Sequence, residues 1–90
     1  MNILGQVEQF IGQKIRTTRV SKGWSSAKLA EMLEISSQQL DKYETGIDYL
    51  SIDKLILIAQ LLEEKIEFFF DGLENIYNPK PLVVTQPNSE

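Results

Sequence analysis

At 90 residues the chain has room for one small domain and little more. It has no histidine and no cysteine, so a metal centre, a thiolate nucleophile or an imidazole base would have to be built without its usual parts. The formal charge of −4 counts against a generic polyanion-binding surface, but residues 1–50 hold six basic and six acidic side chains while 51–90 hold three and seven, so the first half can still present positive potential within a Debye length of about 8 Å.

The spacing of Val7, Phe10, Ile11, Ile15 and Thr18 predicts a first helix over Val7–Lys22, with Lys14 the polar exception on its apolar face and Gly23 as its stop. Ser25 is placed to cap a second, short helix whose inner face is Leu29, Ala30 and Leu33. Ser36 caps a third. With Gln39 three residues on, it matches the capping-box pattern, and Leu40 and Tyr43 supply the apolar side before Gly46 ends the helix. Ser51 caps a fourth, with Ile52, Leu55, Ile58, Ala59 and Leu62 as its stripe and Asp53 in the favourable first turn. A fifth helical segment, Ile66 to Phe70, closes the core with its phenylalanines and leaves one free to form a dimer patch. Residues 72–90 read as an irregular tail holding Pro79, Pro81 and a possible strand over Leu82–Thr85, with Gln86–Glu90 disordered.

No apolar run approaches the eighteen residues of a membrane span, and Met1 leads into Asn2, Ile3 and Leu4 without the basic cluster of a secretory signal. No spacing of carboxylates, serines and lysines suggests a hydrolytic or metal site. The expectation is therefore a non-enzyme with no metal and no cofactor.

The informative stretch is Ser25 to Gly46. It reads as two short helices joined by Leu33-Glu34-Ile35-Ser36, a connection short enough to set them near a right angle. The second helix then stands clear of the domain, and its first turn can enter a major groove about 12 Å wide. Ser37, Gln38 and Gln39 lie there, uncharged and able both to donate and to accept. A glutamine can bind adenine bidentately, worth about 1–3 kcal/mol of discrimination. Outside this pattern Gln38 and Gln39 would read as solvated side chains. Lys14, Arg16, Lys22 and Lys28 read equally as a solvated face or as phosphate contacts. Trp24 reads as core, and so does Tyr43, although its hydroxyl could reach a phosphate.

The runs Ile11-Gly12-Gln13-Lys14-Ile15-Arg16-Thr17-Thr18-Arg19, Leu29-Ala30-Glu31-Met32-Leu33, Ile35-Ser36 and Tyr43-Glu44-Thr45-Gly46 resemble the phage Cro/repressor-type helix-turn-helix regulators, also called the xenobiotic-response-element type. Ser51-Ile52-Asp53-Lys54-Leu55, Ile58-Ala59 and Phe68-Phe69-Phe70-Asp71-Gly72-Leu73 extend the likeness over about residues 8–73. The resemblance implies an all-α, compact five-helix bundle of the lambda-repressor-like type, with residues 1–73 as the DNA-binding domain and 74–90 as a tail that is partly disordered or joins in dimerisation. It implies a cytoplasmic, bacterial or phage-encoded transcription regulator that binds double-stranded DNA as a homodimer, with no membrane association and no small-molecule effector. By position, Ser37 and Gln38 match the main base-reading sites, and Lys42 matches a site used for base or phosphate. Gln39, on the same leading turn, is read as a further base contact. Ser26 matches a phosphate-contacting position, Thr45 lies where the helix end meets backbone phosphate, and Lys28 and Tyr43 are read as further phosphate contacts from their side chains. Arg19 and Glu44 match a structural salt bridge.

The chain departs from the family's pattern at four places. Glu34 and Glu63 stand where glycine is common, which implies helix ends that avoid positive φ or tolerate strain. Asp41 puts a carboxylate on the third helix, and Ile47-Asp48-Tyr49-Leu50 lacks the basic residues that many relatives set against the backbone. Each lost phosphate contact weakens binding and flattens its salt dependence. The alternative is a protein-interaction module on the same fold, antitoxin-like or sequestering, with weak or no DNA binding.

Overall fold

The computed structural model describes residues 3–77, and all its regular elements there are helical. They are α1 (Ile3–Ser21), α2 (Ser26–Leu33), α3 (Ser37–Thr45), α4 (Ile52–Leu61), a 3₁₀ turn (Ile66–Phe70) and α5 (Glu74–Tyr77). The strand expected over Leu82–Thr85 and the disorder expected over Gln86–Glu90 lie outside the described residues.

Three serines start three helices. The hydroxyls of Ser25, Ser36 and Ser51 accept from the backbone N–H of Lys28, Gln39 and Lys54 at 3.1, 3.0 and 3.3 Å, each satisfying one donor that a helix start leaves without a partner. The four helices α1 to α4 also stop alike. At Gly23, Glu34, Gly46 and Glu63 the chain turns left-handed, and paired bonds close the last turn, as in Gly23 N–H to Val20 O and Trp24 N–H to Arg19 O. Glu34 (φ 59°) and Glu63 (φ 60°) thus occupy the positive-φ positions outright. That conformation costs a side-chain-bearing residue about 1–2 kcal/mol, against a glycine penalty of about 0.5–1 kcal/mol. Glu34→Gly and Glu63→Gly are each expected to stabilise the fold by about 0.5–1 kcal/mol, raising the melting temperature by a few degrees.

One residue or more from each of α1 to α4 and from the 3₁₀ turn meets at the centre. Ile15, Leu29, Leu40, Ile58, Leu62 and Phe69 are fully buried, with Ala30, Leu55 and Ala59 filling between them. Trp24, Leu33, Ile35, Leu50 and Phe70 pack around this cluster while partly exposed. α1 lies chiefly against α3, and α2 also packs on α3, so the third helix is held from two sides.

Four details differ from the sequence expectation. α1 begins at Ile3 rather than Val7; no proline interrupts residues 3–6, the helix runs through Gly5, and α5 packs against α1. That α5 turn replaces the start of the expected irregular tail. The segment 66–70 is helical but 3₁₀, and it is braced by Lys14: its Nζ donates to Phe68 O at 3.1 Å and sits 4.4 Å from the Phe68 ring. The polar exception on α1 therefore has a packing role. Ile52 is exposed, because it lies roughly 70° from the centre of the α4 stripe and in its first turn.

Candidate nucleic-acid interface

Glu34, Ile35 and Ser36 separate α2 from α3. Leu29 and Ala30 on α2 and Leu40 on α3 are buried together in the core cluster, and Ile35 packs on that cluster between them. The inner side of α3 is completed by Tyr43 and Glu44, both buried. Its outer side is free: Ser37, Gln38, Asp41 and Lys42 are exposed and, with Ile47 from the following loop, line one shallow depression.

Behind this surface stands an ion pair. Arg19 Nε donates to Glu44 Oε2 at 2.8 Å and Arg19 Nη2 to Glu44 Oε1 at 3.1 Å, with side-chain exposures of 9% and 3%. Arg19 Nη1 also donates to Trp24 O at 2.8 Å. One guanidinium thus ties together α1, the α1–α2 turn and the last turn of α3. The planar fork of arginine suits this two-pronged grip, which a lysine could not reproduce.

A second restraint is the close approach of α1 to α3 at Gly12. An ideal Cβ there would clash with the carbonyl oxygen of Tyr43, and would lie 2.5 Å from that of Glu44 and 2.8 Å from the Glu44 carbonyl carbon. All three are backbone atoms, so side-chain rotation cannot relieve the contact. Sequence spacing gave no sign of this constraint, since only the tertiary arrangement makes it.

The structure places the sequence-predicted contacts unequally. Ser37, Gln38 and Lys42 share the outer depression. Gln39 is half-buried, and its Nε2 donates to Asp48 Oδ2 at 2.9 Å. The capping box is therefore only half formed: Ser36 accepts from Gln39 N–H, while the Gln39 amide braces the α3–α4 loop. Tyr43 is buried and lines a mainly apolar cavity with Val7, Ile11, Leu50, Leu55 and Phe70. Thr45 is exposed and its hydroxyl donates to Asp41 O at 2.8 Å, leaving the oxygen able to accept. Ser26 and Lys28 lie on the first turn of α2, where Lys28 Nζ rests 4.5 Å from the Trp24 ring. Ile47, which the sequence offered only as one of four loop residues that are not basic, lies on the same depression as Ser37, Gln38 and Lys42.

Among the described residues no group of three or more acidic side chains is placed to hold a metal ion, and no helix is long and apolar enough to cross a membrane.

Comparison with known proteins agrees with this geometry. The family described as helix-turn-helix matches residues 15–69. The chain is 43% identical over 81 residues to an uncharacterized HTH-type transcriptional regulator of Rickettsia prowazekii, covering 90% of this chain and 62% of that protein. It is 42% identical over 81 residues to a similarly described protein of Rickettsia conorii, covering 90% and 65%. It is 35% identical over 68 residues to an uncharacterized transcriptional regulator in the ATPase CF(0) region of Rhodospirillum rubrum, covering 76% and 63%. The chain thus spans less than two-thirds of the length of these relatives. No solved structure matches it.

Proposed function

The chain belongs to the helix-turn-helix family of transcription regulators, of the Cro/repressor type, and from that membership we propose that it binds DNA sequence-specifically as a homodimer, reading the major groove with the leading end of α3. The observation that carries this reading is the two-faced character of α3. Leu40, Tyr43 and Glu44 are locked inward, while Ser37, Gln38, Asp41 and Lys42 form a polar outer face free of the core. Gln38 and Ser37 take the base-reading role, and Lys42 serves a base or a phosphate. Lys28, Ser26 and Thr45 flank the groove on the phosphate side. Gln39 holds the loop through Asp48 and acts on DNA through that brace.

For the second copy, α4 offers Ile52 and Ile56 one turn apart on its exposed side, and Tyr49 precedes them at 72% exposure. Large apolar side chains left in water at one edge suit a protein contact. The same exposed groups, with Asp41 on α3, favour the second reading, a protein-interaction module.

Selection from random duplexes separates the two. The DNA-reading role predicts an enriched, pseudo-palindromic motif with half-sites about 34–36 Å apart, one helical turn, and an affinity that falls steeply with salt. Retention of no duplex even at low salt would overturn it in favour of the interaction module.

A further inference from the structure

We infer that Ile47 is a specificity-determining residue of the DNA-reading surface, packing against the 5-methyl group of a thymine; this rests on the DNA-binding role proposed above. Ile47 is 69% exposed, yet it belongs to the same depression as Ser37, Gln38, Asp41 and Lys42. A duplex edge that fills this depression against Gln38 and Lys42 therefore meets Ile47 as well. Its backbone is fixed in advance. Ile47 N–H and Asp48 N–H both donate to Lys42 O, at 2.9 and 3.2 Å, and the Gln39 amide holds Asp48 from the other side. The side chain is β-branched and has few rotamers to lose on contact.

The chemistry of the groove then selects the partner. Along the major-groove edges of the base pairs, the methyl group of thymine is the distinctive apolar feature among hydrogen-bonding groups. A phosphate oxygen offers an isoleucine nothing, and the Asp41 carboxylate in the same depression repels phosphate. Base edges are thus the better occupants there. Gln38, suited to adenine, lies beside Ile47 in this surface, so the pair points to a half-site containing A·T base pairs read from both strands or at neighbouring steps.

The test uses the full chain and its selected operator. Each thymine is replaced singly by deoxyuridine, which removes only the methyl group. One thymine per half-site is expected to show a loss of about fourfold in affinity on this replacement, the worth of one buried methyl group. Ile47→Ala is expected to lose a similar factor on the intact operator and to become indifferent to deoxyuridine at that position alone. Because Ile47 is exposed, the variant should keep the wild-type melting temperature, which is measured alongside. The inference is overturned if no thymine is sensitive, or if Ile47→Ala keeps the full deoxyuridine effect. It is equally overturned if the variant changes only the oligomeric state in sedimentation, which would make Ile47 a protein contact. Retention of no duplex at all sinks the DNA-binding role itself, and that result is distinct from binding without methyl sensitivity.

Discussion

Glu44→Ala is expected to destabilise the fold by about 3–5 kcal/mol, the usual consequence of leaving one half of a buried ion pair without its partner. Arg19 would keep its bond to Trp24 O and lose both bonds to the carboxylate, in a site from which water is nearly excluded. A domain of this size holds only about 5–15 kcal/mol in total, so the loss is a large fraction of its stability. Urea unfolding followed by circular dichroism measures the loss as a fall in midpoint at unchanged slope. The double replacement Arg19→Met with Glu44→Leu is expected to be far less damaging than Glu44→Ala alone, since no charge is then stranded. A Glu44→Ala midpoint no lower than that of a change at the exposed Glu31 would show that the pair holds nothing together.

The second large effect is at Gly12. In an open helix, glycine to alanine stabilises by about 1 kcal/mol through helix propensity. Here Gly12→Ala is expected to do the reverse and cost about 1–3 kcal/mol. The new methyl group would collide with the backbone of the last turn of α3 at Tyr43 and Glu44, and α1 can avoid it only by backing away. That movement would also stretch the Arg19–Glu44 grip. The sign of the change is the decisive reading: a rise in melting temperature for Gly12→Ala would mean that the two helices do not approach this closely.

These two residues show what a sequence can and cannot reveal. Ser25, Ser36 and Ser51 were legible as caps because a cap is a local event, settled within four residues. The apolar stripes of α1 and α4 were legible because period follows from helical pitch, and Ile52 was misjudged only because it sits at the edge of its stripe. Arg19 and Glu44, 25 positions apart, could be paired only through family resemblance. Gly12 left no local trace, since its constraint comes from a carbonyl more than thirty residues away. Gln39 fitted two patterns at once, and the partner that won, Asp48, lies nine residues on in a loop whose course no spacing predicts. Tyr43 was correctly expected in the core, since its place on the apolar side of α3 follows from helical spacing. Ile47 stands in a loop whose sequence signals only the absence of basic residues, and its exposure beside α3 is a tertiary fact that no spacing carries.

Repeating the duplex selection with Gln38→Ala tests most directly whether the outer face of α3 meets base edges. Gln38 is exposed, so the variant should fold as the parent does. The expected result is a motif that loses its preference at one position of each half-site and keeps it elsewhere, whereas Lys42→Ala, if Lys42 meets phosphate, weakens all duplexes about equally. Recovery of the parent motif unchanged by the Gln38→Ala protein would contradict the assignment of this surface.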